Sequence, residues 1–279
     1  AALLYADDMV LMAESREGLQ RFLTALDAAC TSLGMTINAG KTKAMCMDWG
    51  SSQEQGVFCV AGGAIEVVES FKYLGSHVHC TGSLDTEVCM RISSAIGAFR
   101  RMQHFWGNRR VGVCIKARVY KACVLPALLF AAEAWPQLTA SQLHRLEVCQ
   151  NDCLRMILGV RRADRHSTST IRAACGAASI EQHALACRLR WLGHIVRMPV
   201  DRLPRAASTL YGRRLDTRGG MPPRRVGRPA HTWEFRLITD GLARLEAPGG
   251  EAVTLEHCLS RGEWAPMVRA LTRRRIPTT

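Results

Sequence analysis

The chain has 279 residues, with 37 Lys and Arg against 24 Asp and Glu, for a formal net charge of +13. That surplus favours a polyanionic partner, of which nucleic acid is the simplest. The 48% apolar content is ample for a core and argues against a disordered chain, while the longest apolar run, Ala122 to Ala132, is too short to span a bilayer and contains Pro126.

Ala1 to Leu4 and Met9 to Met12 are apolar runs on either side of Tyr5-Ala6-Asp7-Asp8. This predicts strand, tight turn, strand, with both acids held at the turn. Adjacent carboxylates there repel each other unless a cation neutralises them. Magnesium suits them, as a hard ion that takes oxygen ligands. A solvated hairpin tip is the plainer reading of the same residues.

Ser15 then caps a helix expected to run to about Leu33. Leu19, Phe22, Leu23, Leu26, Cys30 and Leu33 recur at spacings of three and four, and Gly34 ends it. Met35 to Asn38 reads as extended, Ala39 to Lys43 as a basic turn, and Ala44 to Met47 as a returning strand. Two more short strands are expected near 56–60 and 64–68, and Phe71-Lys72-Tyr73-Leu74-Gly75 closes the series.

From Ser83 the periodicity becomes helical. One stretch runs from Leu84 to Phe105, a second from Val113 to Ala132 with Pro126 set to kink or split it, and a third from Ser141 to Leu158. In the third, Leu143, Leu146, Cys153, Leu154 and Ile157 should face inward. Ser179 to Gln182 opens a further helix with a capping box, which carries Arg190-Trp191-Leu192-Gly193-His194. Trp191 and His194 have the chemistry to stack on bases, although Trp191 on an apolar face is more often core.

Arg197 to Arg228 holds nine arginines against two acids and contains Gly219-Gly220 and Pro222-Pro223, so it reads as a mobile basic linker. Two short helices, near 233–245 and 260–271, finish the chain, the last capped by Ser260 with Glu263. The twelve cysteines make no C-x-x-C pair, and buried, reduced thiols are the preferred reading. With no signal peptide visible, an intracellular setting is expected.

The ordered set YADD (Tyr5 to Asp8), amphipathic helix, GMTINAGKTK (Gly34 to Lys43) and FKYLG (Phe71 to Gly75) resembles the second half of a reverse-transcriptase palm. The likeness is greatest to the reverse transcriptases of non-LTR, LINE-type retrotransposons. It implies an α+β fold: a partial polymerase palm of hairpin, helix and short antiparallel strands over 1–82. A helical thumb-like and post-thumb region would cover 83–198, an Arg-, Pro- and Gly-rich linker 199–230, and a small helical segment 231–279. The C-terminal region as a whole would be basic and partly disordered.

The resemblance also implies roles. Asp7 would ligate both of two catalytic Mg2+ ions, and Asp8 would be a weaker second ligand. Tyr5 and Ala6 would line the primer end, and Lys41 would protonate the pyrophosphate leaving group. Lys72 and Tyr73 would contact the primer backbone. Thumb arginines Arg100, Arg101, Arg109 and Arg110, with Arg213, Arg214, Arg224 and Arg225 of the basic stretch, would meet phosphates. The implied partners are an RNA template, a DNA primer and dNTPs, with action in the nucleus at chromosomal DNA and otherwise in the cytoplasm.

In this family an essential first aspartate comes from a strand well before YADD. The sequence begins at Ala1, and Asp27, Asp48, Glu66 and Glu69 match no such motif. The expectation is therefore a fragment, with fingers and first palm half supplied by the same polypeptide elsewhere, and no polymerisation by this piece alone. The alternatives are a non-catalytic nucleic-acid-binding remnant and a protein like a group II intron maturase. The Trp191-Leu192-Gly193-His194 string argues against the maturase.

Overall fold

The computed structural model describes residues 1–47, 57–135, 137–212, 241–245, 247 and 250–273. They are mixed helix and strand, in the α+β manner, and divide into two compact units, Ala1–Thr86 and Glu87–Thr279.

Unit 1 opens with β1 (Ala2–Tyr5) and β2 (Asp8–Leu11), an antiparallel pair in the register Ala2 to Leu11 and Tyr5 to Asp8. Helix α1 (Arg16–Ser32) begins where the Ser15 side chain accepts a hydrogen bond from the Gly18 amide. It ends in a Schellman turn. Gly34 takes φ +73°, its amide donates to the Thr31 carbonyl, and the Met35 amide reaches the Cys30 carbonyl. Both ends match the sequence expectation, but the apolar stripe does not sink as a whole. Leu23 is buried, whereas Phe22 and Leu33 are exposed, because the rest of unit 1 is too small to cover more than one side of α1.

Strand β3 (Lys43–Ala44) runs parallel to β5 (Gly63–Val67), which pairs antiparallel with β4 (Phe58–Val60). The expected returning strand thus starts one residue earlier and is shorter. Met35 to Asn38 forms no strand, because Asn38 is taken up in a turn. Strands β6 (Ser70–Tyr73) and β7 (Ser76–His79) form a separate hairpin closed by Leu74 and Gly75, both at positive φ. A two-residue loop with both φ values positive matches the right-handed twist of its strands. The core of unit 1 is Leu23, Ala44, Phe58, Val60 and Ile65, with Leu11, Leu19, Ile37 and Ala39 packed on it.

Unit 2 is helical. The expected long first helix is two: α2 (Asp85–Arg100) and α3 (Gln103–Gly107). Trp106 folds back at the break. Its ring stacks on Phe99 at 4.6 Å, and its Nε1 donates to the Phe99 carbonyl, which also accepts from the Met102 amide. The second stretch also divides, into α4 (Val113–Val119), a π-helical turn (Tyr120–Val124) and α5 (Leu125–Leu128). Pro126 lacks the amide hydrogen that an α-helix needs at that point, and the wider π turn just before it absorbs the missing bond.

Helix α6 (Ala140–Leu158) carries a capping box from Thr139 and Gln142 and closes on Gly159 at φ +71°. It packs against α3, α4, α7 (Thr168–Ala174) and α8 (Ile180–Arg197). Leu146, Cys153, Leu154 and Ile157 are buried as expected, and Leu143 only half so. Helix α7 was not foreseen; Ser167 caps it through the Thr170 amide. The capping box of Ser179 and Gln182 at the start of α8 is present.

Within the expected linker, α9 (Leu203–Gly212) is a helix, and Arg205 donates from Nη1 to the Ile195 and Val196 carbonyls at the end of α8. The expected helix near 233–245 lies mostly outside the described residues; Leu242–Arg244 forms a single 3-10 turn. The last helix (Arg261–Ala270) is present, capped by Ser260. It docks on α8, in a core of Leu185, Leu189, Leu192, Val196, Leu242, Leu245, Val253, Cys258, Trp264, Met267 and Val268. The thiols divide: Cys149, Cys153, Cys175 and Cys258 are buried, but Cys46, Cys59, Cys89, Cys114 and Cys123 are exposed, which corrects the expectation of buried thiols. Among the described residues, no helix is long and apolar enough to cross a membrane.

Candidate active site

The two acids sit where the sequence put them, at a two-residue hairpin. Tyr5 and Asp8 are paired across the strands, and Ala6 and Asp7 form the loop between them. Ala6 takes φ +52°, a left-handed conformation that is strained for a residue with a Cβ. Register forces this: a loop of only two residues between twisted strands needs a positive φ in its first position. Tyr5, Ala6, Asp7 and Asp8 are all exposed. Leu11, at the far end of β2, ties the hairpin to the core of unit 1.

Lys41 lies in the turn that follows α1. Asn38 organises it. The Asn38 side-chain oxygen accepts from the Lys41 amide at 3.1 Å, and its carbonyl accepts from the Thr42 hydroxyl at 2.8 Å and the Thr42 amide at 3.0 Å. The Lys41 side chain is left exposed, while Ile37 and Ala39 pack on the core that also receives Leu11. The hairpin and the lysine turn therefore hang from one apolar cluster.

Lys72 is exposed on β6 opposite His77, and Tyr73 is half-buried opposite Ser76. Two of the other acids of unit 1 are engaged. The Asp27 carboxylate accepts from the Ala61 amide at 3.1 Å, and Glu66 pairs with Lys43 at 2.6 Å. Among the described residues, no group of three or more His, Cys, Asp or Glu is placed to hold a metal ion. Asp7 and Asp8 thus stand as a pair.

In unit 2, Arg100, Arg101, Arg109 and Arg110 are exposed around the turns that join α2, α3 and α4. Arg213, Arg214, Arg224 and Arg225 lie outside the described residues. Not every cation is free for a ligand. Arg91 is buried, paired with Glu87 at 3.1 Å and set over the Phe130 ring at 5.0 Å.

The family described as reverse transcriptase (RNA-dependent DNA polymerase) matches residues 1–78, which span the hairpin, the lysine turn and the paired strands β6 and β7. A transposon-derived protein of Caenorhabditis elegans is 25% identical over 280 residues, covering 97% of this chain and 95% of its own. A Drosophila melanogaster protein named "Probable RNA-directed DNA polymerase from transposon BS" is 28% identical over 167 residues. Residues 1–78 are thus similar to reverse transcriptases, and the chain as a whole is similar to a transposon-derived protein. The second alignment covers 55% of this chain but 18% of the fly protein, so the chain corresponds to a small part of that relative. No solved structure gives a significant match.

Three features of the structure escaped the sequence reading. Asn38 was read as part of an extended piece, yet its side chain shapes the lysine turn; an Asn three residues before a Lys-Thr pair is the signal. The Glu87 and Arg91 pair has i,i+4 spacing, but nothing in the sequence showed it to be buried. Gly193 in the Trp-Leu-Gly-His string is where Trp264 docks, and no local pattern announces a contact between residues so far apart.

Proposed function

We propose that unit 1 supplies the metal-binding hairpin and primer-facing strands of an RNA-directed DNA polymerase, in which dNTPs are added to a DNA 3′-hydroxyl along an RNA template. The observation that carries this reading is the tight hairpin that presents Asp7 and Asp8 next to each other in solvent, inside the segment that matches reverse transcriptases.

The donor set fits Mg2+: hard carboxylate oxygens, exposed, side by side at a two-residue turn. Asp7 and Asp8 would hold the metal, Asp7 as the main ligand and Asp8 as the weaker one. Bound Mg2+ supplies charge neutralisation at the phosphates and activation of the attacking hydroxyl.

The chain's own residues do the rest. Tyr5 and Ala6 flank the acids and line the primer end. Lys41, free on a turn pinned by Asn38, gives a proton to the departing pyrophosphate and stabilises its charge. Lys72 and Tyr73 hold the primer backbone. Unit 2, as a thumb-like bundle, follows the template and primer through Arg100, Arg101, Arg109 and Arg110. Arg213, Arg214, Arg224 and Arg225 add non-specific affinity. Such a protein works at chromosomal DNA in the nucleus.

A second reading has one observation in its favour. Asp7 and Asp8 have no third ligand beside them among the described residues. A module that binds nucleic acid without catalysis needs none. Primer extension separates the two. In a polymerase that contains this segment, Asp7→Asn abolishes extension and Asp8→Asn impairs it less, because Asp7 would be the main metal ligand and Asp8 the weaker one. This chain by itself, with oligo(dT) on poly(A) and Mg2+, incorporates nothing. Near-normal extension by Asp7→Asn refutes the metal assignment, and incorporation by the chain alone refutes the need for a further carboxylate.

A further inference from the structure

Trp191 is unlike the other described tryptophans. Trp106, Trp135 and Trp264 are 4%, 3% and 2% exposed. Trp191 is only half-buried, and it is absent from the cluster that α8 builds with the C-terminal helix, where Leu185, Leu189, Leu192 and Val196 do the packing. Its ring instead meets the exposed His194 ring, one helical turn on, with centroids 5.4 Å apart and planes inclined by 41°. Arg190 is exposed beside the pair, its guanidinium drawn toward the Cys187 sulfur at 3.0 Å.

A large aromatic left partly in water, joined to a second ring and rimmed by a cation, offers a flat ligand an aromatic surface with a positive edge. We propose that Trp191 and His194 form a stacking platform for an unpaired base of single-stranded nucleic acid. Three properties select that ligand. The platform is made of rings, and every base offers a π face whatever its identity. The chain carries +13, which draws a polyanion to it. The faces of bases within a duplex are covered by their neighbours, whereas an unpaired base can leave its stack to lie on an aromatic ring. The inference is independent of the polymerase chemistry, because it concerns unit 2 and needs no metal.

The test uses the whole chain and two labelled 12-residue probes of equal charge, oligo(dT) and a fully abasic strand, with affinity read by fluorescence anisotropy. The parent should prefer oligo(dT) by roughly tenfold, the scale of one stacked base. Trp191→Leu should bring the two affinities within about twofold while leaving the abasic strand's affinity unchanged, because that strand reports charge alone. His194→Ala, at an exposed position that tolerates substitution, should reduce the preference in part and keeps the test open if Trp191→Leu does not fold. A preference that survives both variants overturns the proposal. So does an equal loss for both probes, which is the mark of damaged folding or altered charge. A parent with no preference for oligo(dT) overturns it as well.

Discussion

Gly193→Ala should be among the more damaging one-methyl changes available to this chain. An added Cβ would lie 2.3 Å from Trp264 Nε1 and 2.5 Å from its Cδ1, with Arg197 Nη1 at 3.2 Å. Trp264 cannot step aside cheaply. It is 2% exposed, and its Nε1 donates to the Leu189 carbonyl at 3.0 Å. Overpacking of this kind costs about 1–3 kcal/mol, and a displaced indole that loses its acceptor adds about 1–3 kcal/mol. Alanine returns about 1 kcal/mol through its better helix propensity. The net loss is about 1–5 kcal/mol, which for a unit of this size lowers Tm by roughly 2–20 °C. Thermal melting followed by circular dichroism measures it, and hydrogen exchange shows whether the C-terminal helix lifts off alone. The decisive control is the same substitution in a Trp264→Leu background. There the space is open, so Gly193→Ala should be neutral or stabilise by about 1 kcal/mol. A loss of equal size in both backgrounds would refute the packing argument, as would an unchanged melt of the single variant.

Burial, with Lys121 and Arg190 adding to it, holds His183 at about 4, below the usual 6.5. The unfolded chain therefore binds the proton more tightly, so stability is complete above about pH 6.5 and is lost as pH falls toward 4. The drop is up to about 3 kcal/mol, readable by urea titration at several pH values, and a flat profile across this window would contradict the buried imidazole. If the polymerase reading holds, Lys41→Ala in a polymerase that contains this segment should slow the single-turnover rate by roughly 10²–10⁴ with little change in nucleotide affinity; a parental rate would reduce Lys41 to a turn residue. Replacing Arg213, Arg214, Arg224 and Arg225 by Gln should flatten the dependence of log affinity on log salt, by about 0.7 per lost contact on single strands. An identical slope before and after would remove these arginines from the interface.

What the sequence made legible was local. The hairpin, the Ser15 cap, the Gly34 stop and the capping box at Ser179 are each decided by residues within a few positions of one another, and each is present. The turns that carry Asp7, Asp8 and Lys41 were legible for the same reason: a tight hairpin and a short basic loop are written in contiguous residues. What stayed hidden was decided at a distance. The break between α2 and α3 depends on Trp106 returning to Phe99, and no periodicity contains that fold-back. The docking of Trp264 joins residues 75 positions apart, so a region read as a separate small segment shares a core with α8. The stripe on α1 was correct as a helix signal but overstated burial, because amphipathic spacing says which residues share a face and not whether anything lies against it.

That last point bears on the proposed chemistry. Among the described residues, the core of unit 1 has five buried apolar side chains, while Leu4, Tyr5, Met9, Met12, Phe22, Leu33 and Met35 are exposed. Leu4 and Met9 are direct cross-strand partners, 69% and 44% exposed, in the very hairpin that carries the acids. A two-stranded hairpin by itself is marginally stable in water, and a metal site needs its ligands held to a fraction of an ångström. Leu11 anchors one end of this hairpin, but the end near Asp7 and Asp8 has only its own four residue pairs and a strained Ala6 to fix it. The polymerase reading therefore carries a physical requirement. Further strands or a substrate must lie against Leu4 and Met9 before the two carboxylates can act as a fixed pair. The non-catalytic reading carries no such requirement, since binding through unit 2 proceeds whether the hairpin is rigid or frayed. The two readings thus differ in what covers one cross-strand pair, and that difference is structural before it is chemical.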